Sequence, residues 1–308
     1  MNTWNDIAKK LTFREDDLVY LMPCLDITLY WSGSPFGRSD GLREGIVAFY
    51  NRCIETIGGD FKLYRTETMT RDRPIKKDTF GLVPLWFQGT STRRDIYSLL
   101  LESATKPEES SDRAFALEVC PLNGFIRLVL PLSFIDDSTE KFLDLAKELG
   151  QILPFDFGLA GVSMNWRSSG DYDLQAVQTM HLLAKRYPGL ELSDPAGTAY
   201  IVSKGIKCVN WLTFLNVASC ERLGGVSTLM QAFDQNVVVH TLDQHGAIIQ
   251  AGPAPVLGDV NRQESLPLYH QVGKVLAPIR SQEHPRIFGP DGIPDDDATN
   301  EWLARFDS

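Results

Sequence analysis

Five histidines are the first places to look for a general base or a metal ligand. His240 and His245 flank Asp243, three potential ligands within six residues. The residues before His240 read as a strand and Asp243–Gly246 as a turn, and no carboxylate or thiol cluster completes a coordination set. His181 shares the apolar side of a helical repeat with Val177 and Ala184, the placement of a core histidine. His270 and His284 have neither HExxH spacing nor a paired carboxylate. The nearest approach to an acyl-transfer elbow is Gly161-Val162-Ser163-Met164-Asn165, which lacks the second glycine of a tight strand-to-helix turn. Ser163 therefore reads as a strand residue.

Phosphate chemistry has one candidate, Ser32-Gly33-Ser34-Pro35-Phe36-Gly37-Arg38, between a strand and a helix. It carries no Lys after the glycines, and Pro35 removes an amide donor. A metal-dependent nuclease needs an Asp and a Glu-x-Lys on neighbouring strand positions. Glu118-Val119-Cys120 comes closest, with Cys in place of Lys. Cys24, Cys53, Cys120, Cys208 and Cys220 are odd in number and form no CxxC pair. They read as reduced, buried thiols. The expectation is no catalytic residue, no metal and no cofactor.

The elements that hold these residues follow from periodicity. Leu18–Trp31 reads as strand, and Leu42 to Ile57 as a helix with its stop at Gly58-Gly59. Phe61–Arg65, Leu82–Phe87, Ile96–Leu101, Phe115–Cys120 and Phe125–Leu130 read as further strands, and such a run implies an antiparallel or mixed sheet. Asp137 with Glu140 resembles a capping box opening a helix that Gly150 closes. Phe157–Trp166 is expected as strand, Leu174–Tyr187 as helix, and Ile206–Leu215 as a strand packed on both faces. A short helix through Leu229, Met230 and Phe233 precedes a hairpin, Val237–Thr241 with Ala247–Gln250. A last helix follows Pro267 and ends at Pro278. The expected class is α+β, two intimately packed halves at 1–152 and 153–280, with mixed or mostly antiparallel sheets under helices. Residues 281–308 are left as a loosely attached tail whose last turn, at Trp302, Leu303 and Phe306, docks.

Composition narrows the partner. The 308 residues are 43% hydrophobic, and 30 Lys plus Arg against 40 Asp plus Glu leave a net charge of −10. Such a chain can bury a large core without disulfides. Its acidity disfavours direct nucleic-acid binding, which needs a basic footprint, and suits a basic protein partner. No apolar run reaches the roughly 18 residues of a membrane helix. The N-terminal residues lack a signal-peptide pattern, so the cytoplasm is the expected compartment.

One set of segments is specific: Gly158-Leu159-Ala160-Gly161 with Asn165-Trp166, Arg186-Tyr187-Pro188-Gly189-Leu190, Val209-Asn210-Trp211-Leu212-Thr213-Phe214-Leu215, Leu223-Gly224-Gly225, and Pro255-Val256-Leu257-Gly258-Asp259-Val260-Asn261 followed by Tyr269 and Pro278. In order and spacing it resembles the TsiV-like family of type VI secretion immunity proteins. The resemblance covers residues 158 to 280 well and the first half only in outline. It implies a non-enzymatic protein that binds and neutralises a cognate secreted effector, a nuclease toxin of the restriction-endonuclease kind, by occluding its active surface. The motif residues are Trp, Gly, Pro and apolar types that a fold demands, and none is catalytic. An enzyme or small-ligand-binding protein with a site no linear motif reveals is the alternative, and an oligomeric scaffold a third. For partner binding, Asp171, Tyr172 and Asp173 combine two carboxylates with an aromatic between a strand and a helix. Asp171 or Asp173 could equally cap that helix.

Overall fold

The computed structural model describes residues 4–15, 17–88, 96–166 and 174–307. Helix α1 (Trp4–Leu11) and the short β1 (Phe13–Glu15) lead into β2 (Leu18–Ser32), then α2 (Leu42–Ile57), β3 (Leu63–Thr66), β4 (Arg73–Pro74) and α3 (Leu82–Phe87). Strands β5 (Tyr97–Glu102), β6 (Ala114–Val119) and β7 (Asn123–Leu130) form a meander closed by α4 (Glu140–Ile152). The second half opens with β8 (Phe157–Trp166), α5 (Leu174–Arg186), β9 (Glu191–Leu192) and α6 (Pro195–Ile201). It continues through β10 (Leu212–Leu215), α7 (Val217–Arg222), α8 (Val226–Ala232), β11 (Val237–Thr241), β12 (Ala247–Ala251), α9 (Pro267–Leu276) and α10 (Asp296–Leu303). This is the expected α+β class.

All the strands belong to one sheet, ordered β11-β12-β10-β8-β2-β7-β6-β5-β3-β4, with β1 also on β2 and β9 on β8. Every pairing is antiparallel except β8 with β9. The two halves join at the centre, where β2 and β8 pair over ten residues from Leu21↔Trp166 to Tyr30↔Phe157. Central position explains composition: residues 23–31 of β2 are all buried, so neither face is solvated, and the two polar side chains among them, Asp26 and Thr28, bond each other. Residues opposite one another share a face. Ile27, Leu128 and Phe115 thus lie together, with Tyr50 of α2 edge-on to Phe115 at 5.1 Å between ring centroids. Helix α6 covers β2 and β7 on the other face, where its Thr198 reaches Tyr30.

Several expectations are corrected. Leu82–Phe87 is a helix rather than a strand: Val83 and Phe87, one turn apart, are buried, and Pro84 sits in the first turn, where its missing amide would lack an intrahelical acceptor anyway. Of Ile206–Leu215 only the last four residues are strand. Ahead of them the Asn210 side chain accepts from the Trp211 amide at 2.7 Å and the Thr213 hydroxyl from the Asn210 amide at 3.3 Å, so local bonds replace the ladder. Asp137 makes no capping box; α4 starts at Glu140, whose amide donates to the Ser138 hydroxyl at 3.2 Å. Gly150 does not stop that helix but lets it pass close to Phe214 and Leu242, each 2.9 Å from where a Cβ would stand.

The segment after 280 is not loosely attached. Ile287, Phe288, Trp302, Leu303 and Phe306 are buried in the main core, Asp295 caps α10 through the Ala298 amide at 2.8 Å, and Arg280 pairs with Asp307 at 2.5 Å. Among the described residues no helix is long and apolar enough to cross a membrane.

Candidate functional site

The sequence's chemical candidates are dispersed. His240 bonds Gln250 through Nε2 at 2.7 Å, and among the described residues no three His, Cys, Asp or Glu side chains are grouped to hold a metal ion. Ser163 is fully buried mid-strand. In the Ser32–Arg38 loop the Ser34 hydroxyl caps a short turn through the Phe36 amide, and Arg38 is spent on Asp40 and the Ser32 carbonyl. The Cys120 thiol faces Glu118 at 3.7 Å; burial raises both groups, Cys120 to about 11, which leaves the thiol protonated at neutral pH. Cys120 is also the one cysteine of the five that is only partly buried.

Two clusters of charge escaped the sequence reading because both are sealed inside. Arg127 of β7 donates from Nε to Asp26 of β2 at 2.6 Å and from Nη1 to Asn165 of β8 at 2.9 Å. Asn165 passes the network on to the Ser111 carbonyl at 2.8 Å, and Thr28 bonds Asp26 from below. The second cluster pairs Lys207 with Glu191 at 2.6 Å, and Lys207 also donates to the Leu192 carbonyl at 2.8 Å. The signal was a lone Asp and a lone Arg in otherwise apolar strand runs. No described cleft reaches either Asp26 or Lys207, so both pairs hold the fold.

The specific segments of the sequence converge on one another rather than on a cleft with catalytic groups. The Gly189 amide donates to the Leu257 carbonyl at 2.7 Å, and a Cβ on Gly189 would stand 2.0 Å from the Val256 carbonyl oxygen. Arg186 grips Asp259 with two hydrogen bonds of 3.1 and 2.8 Å, which holds that carboxyl below its ordinary value. Trp211 donates to the Gly252 carbonyl at 2.9 Å, and Gly161, at φ +152°, packs on the Asn210 side chain. Each of these contacts is a close approach or a directional bond within residues 158–280.

What stays open to a partner lies at the surface. A cleft of about 510 Å³ separates α1 from the 255–264 loop, with Trp4 and Tyr187 in its walls. A second, of about 350 Å³, lies between α5 and α10. Phe288, Trp302, Ala184 and Pro188 give it apolar walls, and His181, Lys185, Glu301 and Arg305 polar ones. His181 packs on Phe288 at 5.6 Å between rings and is 5% exposed; burial and the Lys185 charge push its pKa down, so the imidazole is neutral at pH 7. Its Nδ1 and the Trp302 Nε1 are buried without a hydrogen-bond partner. Gly292 abuts the start of α5, where a Cβ would stand 2.4 Å from the Leu174 carbonyl oxygen. The predicted partner residues Asp171, Tyr172 and Asp173 lie outside the described residues.

The fold matches that of the T6SS protein PA0821 of Pseudomonas aeruginosa with a TM-score of 0.81 at 19% sequence identity, over 94% of this chain and 83% of that one. No curated protein matches the chain in sequence. Residues 101–306, more than half the chain, match the sequence model of a family described as TsiV, type VI immunity for VRR-NUC. That span runs from the end of β5 through α10 and contains every contact among the specific segments described above. The chain therefore belongs to the TsiV family of type VI immunity proteins for VRR-NUC effectors.

Proposed function

We propose that this chain neutralises its VRR-NUC effector in the cytoplasm by stoichiometric binding over the nuclease's DNA-facing surface, without turning over a substrate. The carrying observation is the disposition of charge. The protein has a net charge of −10, and residues 287–304 alone hold five carboxylates and no Lys or Arg, so half of that excess sits in one segment of 18 residues. A nuclease surface that neutralises phosphates must be basic, and an acidic partner competes with DNA for it while steering encounter. The strongly paired charges, Asp26 with Arg127 and Glu191 with Lys207, are committed to the interior and face no substrate.

Titrating purified protein into its cognate VRR-NUC nuclease and following DNA cleavage tests this. Inhibition should be complete near one equivalent and independent of preincubation time once binding has equilibrated. Association should slow as salt rises, because exposed charges are screened beyond about 10 Å at 0.1 M ionic strength. Loss of nuclease activity at far below one equivalent, growing with time, would show catalytic inactivation and overturn the proposal.

A further inference from the structure

We infer that the α5–α10 cleft and its acidic rim form the surface that grips the effector, with one arginine or lysine side chain of its basic DNA-facing side entering the cleft. This rests on the proposed mode of neutralisation and adds its location and chemistry. The acidic segment runs along the cleft: of its Asp291, Asp295, Asp296, Asp297 and Glu301, Glu301 lines the cleft, Asp295 acts with it on the charge of His181, and Asp297 precedes Ala298 of the wall. Asp296 is engaged by Arg286 at 2.8 Å and Asp295 by the α10 amide it caps. Asp291, Asp297 and Glu301 make no ion pair with the described residues, so their charge is free to act outward.

The cleft supplies what a guanidinium or ammonium group needs. A neutral imidazole accepts at the nitrogen that carries no proton, and the Nδ1 of His181, buried and unpartnered, lines the same cleft as Glu301. An unsatisfied buried polar atom is destabilising until something bonds it. Phe288 and Trp302 give the cleft aromatic walls, against which the aliphatic stem of an arginine or lysine can pack. The Trp302 ring already holds Arg305 at 3.8 Å and Lys207 at 5.3 Å, and the donors of Arg305 are tied to the Pro188 and Trp302 carbonyls. Lys185 is the competing cation, exposed in the same lining as Glu301.

Apolar anchors flank the charge. Ile293 is 64% exposed, Leu182 61% and Leu174 56%, and the first and last are brought together where Gly292 meets the start of α5. Charge around exposed apolar side chains suits a partner approached by electrostatic steering and retained by desolvated contacts.

The test compares two triple variants by biolayer interferometry against the cognate VRR-NUC nuclease at low and high salt. Asp291→Lys, Asp297→Lys, Glu301→Lys should weaken binding at least a hundredfold, chiefly in the on-rate, and flatten its salt dependence. The control Glu55→Lys, Asp137→Lys, Asp144→Lys makes the same charge change on α2 and beside and on α4, and should lose less than tenfold. Equal losses in the two variants, or affinity kept within threefold in the first, would overturn the inference. A wild-type dimer that the first variant turns into monomer would also overturn it, since a second copy would then occupy the face. Failure of the wild-type protein to bind the nuclease at all would instead overturn the proposed function. Should the triple variant unfold, Asp297→Asn, Glu301→Gln decides: about tenfold weaker binding supports the surface, and unchanged affinity removes it.

Discussion

Removing one partner from the Asp26–Arg127 pair should be among the most damaging single changes available to this protein. Arg127→Met leaves Asp26 at the centre of the sheet, 4% exposed, without the two 2.6 Å contacts from Nε and Nη2 that compensate its charge. It also strips Asn165 Oδ1 of its 2.9 Å donor. Breaking a buried pair from one side costs about 3–5 kcal/mol, because the remaining charge stays desolvated and uncompensated. Asp26→Leu, which leaves the guanidinium stranded, should cost a similar amount. The double variant removes both charges and leaves chiefly the Asn165 oxygen unsatisfied, a penalty of about 1–3 kcal/mol. It should therefore be more stable than either single variant. Urea unfolding gives all three values if the slope with denaturant is unchanged and only the midpoint moves. A double variant less stable than both singles would show that these side chains contribute independently and that the pairing argument is wrong.

Three other outcomes follow from particular contacts. Gly189→Ala places a methyl 2.0 Å from the Val256 carbonyl oxygen and should destabilise by about 1–3 kcal/mol in thermal or urea unfolding, as overpacking does; stability within 0.5 kcal/mol of wild type, on the order of ordinary surface changes, would refute the close approach. His284, whose pKa burial and Lys207 push down to about 3, is neutral when folded and protonates near 6.5 when unfolded, so its contribution is complete above pH 6.5 and is lost as pH falls toward 3. Relative to His284→Gln, the wild type should lose up to about 2 kcal/mol between pH 6.5 and 5, and parallel pH profiles would count against a half-buried ring held neutral between Thr198 and the Pro285 carbonyl. A fragment of residues 153–308 lacks β2, so the ten-residue ladder that flanks β8 is missing and β8 becomes an apolar edge; it should aggregate or lack cooperative unfolding, and a sharp two-state transition in a monomeric fragment would contradict this.

Much of the architecture is legible because it depends on local periodicity. The bounds of α2 at Leu42 and Ile57 and of β8 at Phe157 and Trp166 coincide with the pattern of apolar residues and the adjacent glycines. Where local pattern and tertiary packing diverge, the sequence misleads. Leu82–Phe87 is apolar at every position and has no period, so only the burial of Val83 and Phe87 against exposed Leu85 separates helix from strand. Asp194 followed by Pro195 is a readable helix start, an Asp cap with Pro in the first turn, yet α6 is too short to show a stripe. In the tail the amphipathic turn at Trp302, Leu303 and Phe306 is legible and docks as expected, whereas Ile287 and Phe288 sit in no core-like run and are buried because the fold brings separated residues together. The α5–α10 cleft was illegible for the same reason, since His181 and Glu301 are 120 positions apart.

Neutralisation by binding places two different demands on the chain, a stable fold and a surface for the partner, and on the proposal made above different residues meet them. The segments on which the resemblance rests are tied inward: Gly189 to Leu257, Arg186 to Asp259, Trp211 to Gly252, with a backbone approach at Gly189 that leaves no room for an added atom. Changing any of them is felt by the fold before it is felt by a partner. Among the described residues the acidic segment is tied inward at two points, the Asp295 cap and the Asp296–Arg286 pair. Exposed residues without such bonds change stability by no more than about 0.5 kcal/mol when substituted, whereas the same substitutions at an interface can change affinity by 2 kcal/mol or more. Asp291, Asp297 and Glu301 can thus be altered to suit a different effector surface while the contacts among the family segments stay intact. The glycines, tryptophans and Arg186–Asp259 pair on which the resemblance rests thus serve the fold, and of those segments Pro188 is the residue that also lines the cleft proposed to meet the nuclease.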